Sequence, residues 1–561
     1  MGNSALWYCL VEPLLARRSR AGGHVGHRSV RARAGNLLVV FLLFTAFCPA
    51  AAAGDADARV RSLFESPAAS QPRGQIDELV FARLAQLGIE PAHPCSDAVF
   101  VRRVYLDAIG TLPSAAEAQQ FMEDRTAEKR RILIDHLLKR DEFTDYWAMK
   151  WSDLLRVKAE FPVNLWPNAA EAYHHWIRTS IKENLPYDQF ARTLLTSSGS
   201  NFRVPPANFY RALQRKEPAG IAQAVALTFM GARAEKWPAA QLSGMAAFFS
   251  KVGYKPTSEW KEEIVYFDPG KAPAGGGAAV TAGFPDGTAV QIPSDRDPRE
   301  VFADWLINPK NPWFTRNVAN RIWCWLLGRG IIHEPDDIRP DNPPANPELL
   351  TLMATELVAA HYDLKHIYRL ILNSATYQFS CIPRTEKPEG VANFASYPLR
   401  RLDAEVLIDA LNEITGSTEN YSSAIPEPYT FMPAGQRAIA LPDGSITSTF
   451  LETFGRPHRD TGLESERTDQ STAMQRLQLL NSSQIQQKLA QGPKLRALFL
   501  SAGGPREIVD ALYMAILSRH PTPEERDAIR VYMQSGSVRG REAVLDVAWA
   551  LINSAEFLYR H

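Results

Sequence analysis

The sequence is poor in cysteine, which limits its disulfide chemistry and its cofactors. Five of the 561 residues are cysteine, and two of these, Cys9 and Cys48, lie close to the N-terminus. The other three, Cys95, Cys324 and Cys381, are widely spaced. This pattern is not that of a disulfide-stabilised scaffold, although one bridge in an oxidising compartment stays open.

The chain also lacks net charge. Its 62 basic residues balance its 62 acidic residues, so the formal net charge is +0. Without a global positive field, the chain has no general attraction for nucleic acids or for an anionic membrane surface. We therefore expect no nucleic-acid partner. The sequence has no Gly-x-Ser-x-Gly, P-loop or dinucleotide fingerprint in a strand–turn–helix setting, so no familiar catalytic signature is present.

A short apolar segment near the N-terminus predicts export. Basic residues from Arg17 to Arg33 precede the apolar stretch Leu37–Phe47, and small alanines follow it. A membrane-spanning helix needs about 20 apolar residues, so this stretch has the length of a signal peptide instead. We predict a signal peptide over residues 1–53 and a flexible leader over 54–74, with a periplasmic or extracellular protein as the result. An uncleaved N-terminal anchor is the alternative.

Hydrophobic residues recur at helical spacing through most of the chain, which predicts a mainly α fold. The length favours several domains. We predict a first helical domain over residues 75–267 and a second over 297–561. Between them, residues 268–296 are predicted to form a Gly/Pro-rich linker and a small β-ribbon, in which Asp286-Gly287 is a typical hairpin turn.

Local signals also place individual helices. Apolar spacing predicts a helix over Leu242–Val252. Ser114 stands three residues before Glu117, and Thr522 three residues before Glu525. This is the spacing of a capping box, in which two side chains satisfy free backbone N–H groups at a helix start. We therefore predict a helix beginning at each pair.

Several ordered motifs run through the chain, and together they carry a resemblance. They are Phe100–Asp107, Gly110–Pro113 and Leu185–Phe190, followed by Asn317–Arg321, Asp363–His366 and Arg400–Glu405. In this order they resemble an exported family of planctomycetes and verrucomicrobia, which pairs a cytochrome-like domain (domain of unknown function 1549) with a second domain (domain of unknown function 1553). The resemblance implies a helical, exported protein associated with sulfatase-like exported proteins, with polysaccharide as an expected partner.

The resembled family carries a Cys-x-x-Cys-His motif that this chain lacks. The corresponding stretch, Ala226–Val252, contains neither cysteine nor histidine. A c-type haem needs two thiols for covalent attachment and a histidine as axial ligand. We therefore expect no haem, and the one cofactor left open is a divalent metal.

An acidic loop contains the densest set of candidate metal ligands. His333, Asp336, Asp337 and Asp341 lie within it. Hard divalent cations prefer several oxygen ligands, whereas an imidazole suits a transition metal. A divalent metal site is one prediction for this loop. The alternative is that its carboxylates cap helices and pair with Arg339.

Two histidines are candidates for acid–base chemistry beside these carboxylates. His366 follows Asp363, which can cap the helix that starts there, and His458 lies in a long irregular region. A hydrolase would use Asp336, Asp337, His366 and His458 together. These side chains would then have to converge in one open cleft.

Three arginines lie in the same irregular region as His458. Arg456, Arg459 and Arg467 are candidates for bidentate binding of a sulfate or carboxylate. The alternative is an ion-pair network within the protein. His174 and His175 are adjacent on a predicted helix and point about 100° apart, so we expect one to be half-buried and the other exposed.

Tryptophans are plentiful, and their spacing beside Leu and Ile predicts that most belong to the core. Aromatic platforms that stack on sugar rings are the alternative. The residues concerned are Trp147, Trp151, Trp166, Trp176, Trp305, Trp313, Trp323 and Trp325. Taken together, these signals favour a non-haem binding or assembly module in an extracytoplasmic polysaccharide-handling system. A carboxylate- and histidine-dependent hydrolase is the second hypothesis, and an electron-transfer protein is the third.

Overall fold

A computed structural model describes residues 61–271, 279–432, 434–468, 470–501, 503–535 and 540–561. The signal peptide predicted over residues 1–53 lies outside these ranges. In the part of the chain that the structure describes, no helix has the length and apolar character needed to cross a membrane. The leader was predicted to be flexible, but its described part packs on the protein, because Phe64 is buried in the core and Glu65 forms a β-bridge with Cys95.

The first half of the chain is built mainly from helices, as predicted. They are α1 (Gln75–Gln86), α2 (Asp97–Ala108), α3 (Ala115–Glu123), α4 (Lys129–Leu137), α5 (Asp141–Leu154), α6 (Pro167–Lys182), α7 (Tyr187–Thr196), α8 (Asn208–Arg211), α9 (Pro218–Val225) and α10 (Ala239–Ala246). Short turns of other helical types occupy Pro205–Ala207, Ala226–Met230, Ala234–Lys236 and Ala247–Phe249.

Two small antiparallel sheets follow in this region. The first has the order β1-β3-β2, with β1 (Gly199–Ser200), β2 (Val252–Pro256) and β3 (Glu263–Phe267). The second is a hairpin of β4 (Val280–Gly283) and β5 (Ala289–Ile292), in which Val280 pairs with Ile292.

The hairpin confirms the predicted β-ribbon, and its turn explains why. Gly287 has a φ of +91°, which glycine adopts without the steric cost of a side chain. The Asp286 carboxylate accepts a hydrogen bond from the backbone N–H of Thr288 at 2.9 Å. One local prediction was wrong: the helix expected over Leu242–Val252 ends earlier, at Ala246, and Val252 begins β2. The pairing of Val252 with Phe267 outweighs the local helical spacing there.

The second half is also mainly helical. Its helices are α11 (Pro298–Leu306), α12 (Phe314–Leu327), α13 (Pro347–Ala359), α14 (Leu364–Asn373), α15 (Pro388–Ala392), α16 (Ala404–Thr415), α17 (Thr449–Thr453), α18 (Ala473–Asn481), α19 (Ser483–Gln491), α20 (Pro493–Ser501), α21 (Pro505–Leu517), α22 (Pro523–Gln534), α23 (Arg541–Ile552) and α24 (Ala555–Leu558). Strands β6 (Arg400–Arg401) and β7 (Tyr559–Arg560) pair antiparallel.

Both predicted capping boxes are present. Ser114 caps α3 with Glu117, and Thr522 caps α22 with Glu525, each through reciprocal backbone and side-chain hydrogen bonds. The two helices begin where the sequence predicts, in agreement with the predicted mainly α fold.

The two halves share one continuous hydrophobic core. Buried side chains of α1 and α2 bind backbone groups in the second half of the chain. The Asp77 carboxylate accepts hydrogen bonds from the N–H groups of Ala375 and Thr376, each at 2.9 Å. The guanidinium of Arg102 donates to the carbonyl oxygens of Ile516 and Phe557 at 2.8 and 3.0 Å. The second half is therefore anchored on the first by specific hydrogen bonds as well as by apolar packing.

Candidate functional site

The acidic loop uses its carboxylates to bind other parts of the protein. Asp336 is fully buried, and one of its oxygens accepts a hydrogen bond from Arg321 Nη2 at 2.7 Å. Its other oxygen accepts from the backbone N–H of Glu464 at 2.6 Å. Both oxygens of Asp336 are thus occupied by donors of the protein, which is the arrangement of a structural ion pair.

The other members of the loop do not join Asp336 in a ligand set. Arg339 lies between Asp337 and Asp341, with nitrogen-to-oxygen distances of 3.1 and 2.9 Å. His333 Nε2 lies 3.9 Å from a carboxylate oxygen of Glu334. Among the residues that the structure describes, no group of three or more His, Cys, Asp or Glu side chains is arranged to hold a metal ion. In this loop the carboxylates of Asp336, Asp337 and Asp341 pair with arginines.

The candidate histidines are found in different settings. His366 has its Nε2 3.2 Å from a carboxylate oxygen of Glu356, and its backbone N–H donates to the predicted cap, Asp363, at 3.1 Å. His458 is exposed in the segment after α17. Among the described residues, Asp336 and Asp337 pair with arginines and His366 pairs with Glu356, and no hydrogen bond or ion pair joins any two of the four residues that a hydrolase would use.

The three candidate anion-binding arginines bind carboxylates of the protein; Arg456 and Arg459 are buried, and the side chain of Arg467 is 9% exposed. Arg467 Nη1 and Nη2 donate to the two carboxylate oxygens of Glu405 at 2.7 and 3.0 Å. Arg459 Nε donates to Asp153 at 2.9 Å, and Arg467 Nη2 donates to the same carboxylate at 2.7 Å. Arg456 Nε lies 3.5 Å from Glu405. These arginines therefore form an ion-pair network within the protein, and their contacts to Asp153 on α5 join the two halves of the chain.

The ion-pair network continues around Asp403. Lys150 Nζ and Arg560 Nη2 lie 3.2 and 3.0 Å from its carboxylate. Burial works to raise the pKa of Asp403, but Lys150 and Arg560 outweigh it and hold this pKa well below its usual range. Burial, together with Arg467, lowers the pKa of Lys150. The network thus keeps a buried carboxylate ionised by surrounding it with cations.

An open cleft lies between residues of the two halves of the chain. Its volume is about 680 Å³. One wall is the face of α6 that carries Glu171, His174 and Arg178, and the other is the irregular segment from Tyr421 to Ile446. The two walls come from opposite halves of the chain, so the cleft exists only when the whole chain is folded. We refer to it below as the cleft.

Hydrogen bonds fix the irregular wall against the first half. Ser422 and Thr447 form an isolated antiparallel bridge that closes the segment on itself. The Asp443 Oδ1 atom accepts from the backbone N–H of Ala159 at 2.8 Å. The Glu160 carboxylate accepts from Ser423 Oγ at 3.0 Å. The wall is held in place by polar contacts to residues between α5 and α6.

Four polar atoms of the cleft's lining residues have no hydrogen-bond partner in the protein. They are His174 Nε2, Tyr421 OH, Thr430 Oγ1 and Asp443 Oδ2. Burial, with a smaller contribution from Arg459, lowers the pKa of His174 to about 3, so this imidazole is neutral near pH 7. Burial also raises the pKa of Asp443.

Three aromatic rings meet at the edge of the cleft. Trp166 precedes α6, Trp260 lies in the turn between β2 and β3, and Tyr429 lies on the irregular wall. The ring centroids are 4.7 Å apart for Trp166 and Trp260, and 5.6 Å apart for Tyr429 and each tryptophan. Trp260 and Tyr429 are 62% and 48% exposed, and the Lys261 ammonium lies 5.0 Å from the ring centroid of Trp166 and 5.7 Å from that of Trp260. We call these three residues the aromatic trio.

The sequence signals identified part of this region and missed the rest. His174 is buried and His175 is exposed, which places the pair much as expected. Trp147, Trp151, Trp323 and Trp325 are buried, as the core interpretation predicts, whereas Trp166 is half-buried in the aromatic trio. Trp260 was missed, although its charged neighbours, Glu259 and Lys261, are a signal of an exposed turn.

Two family models match the chain. Residues 75–251 match a model described as "Protein of unknown function (DUF1549)", and residues 298–533 match one described as "Protein of unknown function (DUF1553)". This is the pairing, in the order, that the sequence motifs predicted. No curated protein and no solved structure shows a significant match to the chain.

Proposed function

This chain belongs to the family that pairs the domains of unknown function 1549 and 1553. Because the descriptions of these two domains state no activity, we propose a function from the structure of the cleft. The protein binds carbohydrate and acts as a binding module in an extracytoplasmic polysaccharide-handling system. The aromatic trio beside the cleft is the observation that carries this proposal.

The aromatic trio has the chemistry that a sugar ring requires. A pyranose has an apolar face of C–H bonds and a rim of hydroxyl groups. Aromatic rings provide large, stiff apolar faces at a low cost in conformational entropy, and the hydroxyl of Tyr429 adds a polar group at the rim. Trp260 leaves 62% of its surface in water. Exposed apolar surface of this kind costs about 25 cal/mol per Å² relative to burial, so a stacked ligand would stabilise it.

The cleft beside the aromatic trio has the size of a ligand site. Its volume of about 680 Å³ lies within the range of about 300 to 1,000 Å³ that is typical of small-molecule sites. The cleft is open to solvent. A polysaccharide could therefore enter it without threading a free end. Tyr429 belongs to both the wall and the aromatic trio, so one saccharide chain can contact both.

Export is part of the same proposal. It rests on the apolar segment Leu37–Phe47, which lies outside the described residues. A secreted protein meets polysaccharide, and sulfatase-like exported proteins are the partners that the family resemblance suggests. The described residues include no helix that could span a membrane, and the proposal requires none there.

Affinity electrophoresis tests the proposal. The purified full chain is run through native gels containing a glucan, a xylan, a mannan or a galactan, and binding is measured as retardation. We expect at least one polysaccharide to retard the protein. Trp260→Ala and Tyr429→Ala are then expected to weaken that binding about tenfold or more, because truncation of an aromatic residue central to an interface costs about 2 kcal/mol or more.

The matched control is Leu399→Ala. Leu399 is 61% exposed, like Trp260, and it does not line the cleft. This variant should bind as the unmodified protein does. A protein that is retarded by none of the four polysaccharides, or whose retardation survives both aromatic substitutions, would contradict the proposal.

A further inference from the structure

The α6 wall of the cleft carries a row of accessible polar side chains. Asn168, Glu171 and His175 line the cleft and are exposed. They stand at positions i, i+3 and i+7, so they share one face of the helix. At a rise of about 1.5 Å per residue, the row extends for about 10 Å along α6. We call these three residues the polar row.

The polar row is free to bind a ligand. In the described ranges, no hydrogen bond or ion pair joins the side chains of the polar row to another residue. Arg178 continues the same helix face, and its Nε donates to Asp145 at 2.6 Å, which holds that end of the wall in place. The polar row therefore presents its amide, carboxylate and imidazole groups to the space of the cleft.

The opposite wall presents aromatic rings to the same space. Tyr429 and Phe431 line the cleft and are 48% and 70% exposed. Phe431 lies two residues from Tyr429, which belongs to the aromatic trio, so these rings are not isolated surface residues. Grouped exposed apolar side chains with polar residues beside them are typical of interaction sites. A polar helix face alone would be an ordinary solvated surface, but this one lies across a cleft from exposed rings.

We propose that the cleft binds an extended segment of several sugar residues along α6, with C–H faces against Phe431 and Tyr429 and hydroxyl groups against the polar row. This rests on the proposed carbohydrate binding and deepens it. The ligand is an internal segment of a polysaccharide rather than a single sugar, and the polar row contains the residues that bind its hydroxyl groups.

The hydrogen-bonding groups of the polar row match those of a sugar. The amide of Asn168 both donates and accepts, and the carboxylate of Glu171 accepts. The imidazole of His175 has a nitrogen that donates and, when neutral, another that accepts. A sugar hydroxyl does both, so each contact has a complementary partner. The row of about 10 Å is longer than one sugar ring, so a single ring does not contact all three side chains.

Truncation of the polar row separates binding from a merely structural role. The triple variant Asn168→Ala, Glu171→Ala and His175→Ala removes exposed side chains that bind no other described residue. Such surface substitutions change stability little, so the urea midpoint should stay that of the unmodified protein. In affinity electrophoresis, the polysaccharide that retards the unmodified protein should bind this variant about tenfold more weakly or worse, because several hydrogen bonds to the ligand are lost.

Phe431→Ala tests the opposite wall, and it should also weaken binding about tenfold. The matched control for the polar row is Glu183→Ala. Glu183 is an exposed acidic residue directly after α6, and it does not line the cleft. This variant should bind as the unmodified protein does.

A second experiment measures the length of the ligand. Oligosaccharides cut from the bound polysaccharide, from the monosaccharide to the hexasaccharide, compete with the polymer for the unmodified protein. The hexasaccharide should compete at a concentration about tenfold or more below that of the monosaccharide, because it contacts the whole polar row.

The outcomes distinguish the two proposals. If the triple variant binds like the unmodified protein while Trp260→Ala does not, the polar row is overturned and carbohydrate binding stands. Unchanged binding by Phe431→Ala, or a monosaccharide that competes as well as the hexasaccharide, would overturn the extended segment between the two walls. If no polysaccharide retards the unmodified protein, the extended segment and the proposed function both fail.

Discussion

Arg467 and Glu405 lie side by side in the interior, with both terminal nitrogens of the arginine donating to the two oxygens of the carboxylate. The Glu405 side chain is fully buried, and that of Arg467 is 9% exposed. The pair connects the irregular segment after α17 to the start of α16, and Asp153 of the first half binds the same arginine. Arg467 is therefore a joint between the two halves of the molecule, because it binds Glu405 of the second half and Asp153 of the first.

Removal of one charge from this pair should destabilise the protein strongly. Glu405→Gln removes the bidentate partner of a buried guanidinium that keeps Asp153 as a second carboxylate, and the lost charge-assisted hydrogen bonds should cost about 1.5 to 3 kcal/mol. The control is Glu128→Gln, which removes an exposed partner of Arg131 and should cost less than about 1 kcal/mol. Urea unfolding followed by tryptophan fluorescence measures both. Equal midpoints for the two variants would contradict the assignment of Glu405 to the joint.

Alanine substitutions at two glycines distinguish the free-energy cost of backbone strain from the cost of a steric clash. Gly88 and Gly231 have nearly the same φ, +61° and +62°. A Cβ at Gly88 would meet nothing within 4 Å, whereas at Gly231 it would lie 2.6 Å from Asn317 Oδ1 and 2.8 Å from the Pro335 carbonyl oxygen. Gly88→Ala should cost about 1 to 2 kcal/mol from backbone strain.

Gly231→Ala should cost about 1 to 3 kcal/mol more, because the added methyl group overpacks the core. The midpoints of thermal unfolding give the comparison. If both variants unfold at the same temperature, the close approach of α12 and the acidic loop to Gly231 is not rigid.

The two capping boxes should contribute equally to stability. Ser114→Ala and Thr522→Ala each remove a side chain that accepts a hydrogen bond from the third residue of a helix, and loss of such a cap costs about 1 kcal/mol. Ser258→Ala, at an exposed turn, is the control and should change the urea midpoint little. Capping variants that unfold with the control would show that these helix starts do not depend on their caps.

The buried imidazole of His174 should make stability fall as the pH falls. Its pKa in the folded protein is about 3, against an ordinary value of 6.5, with burial as the main cause. Between these two values the unfolded chain binds a proton that the folded protein does not. The free energy of unfolding should therefore decrease from about pH 6.5 towards about pH 3, by up to about 1.4 kcal/mol per pH unit.

This contribution can be isolated by substitution. His174→Gln removes the titrating group, so the decline of the urea midpoint between pH 6.5 and pH 4 should be less steep than in the unmodified protein. His175→Gln removes the exposed neighbour and should leave the decline unchanged. If all three proteins decline in parallel, His174 is not held neutral by burial.

The sequence was sufficient for features that depend on neighbouring residues. Helical spacing, the capping pairs at Ser114 and Thr522, and the turn at Asp286-Gly287 each involve residues within a few positions of one another. Local backbone preferences and short hydrogen-bonded rings decide such features, so they can be read without the rest of the fold. The helix predicted up to Val252 failed for the converse reason, because β3 supplies a pairing partner from outside the local segment.

The tertiary structure alone decided which charges and rings meet. The sequence shows Arg456, Arg459 and Arg467 close together in one segment. It does not show that Arg459 binds Asp153, which lies 306 positions away in the chain. The aromatic trio likewise combines residues from three distant loops. Such contacts depend on how packed helices bring loops together, and burial then decides whether a charge is neutralised inside the protein or left available to a ligand. For this reason the sequence determined the helices and the family pairing, while the cleft and its chemistry came only from the folded chain.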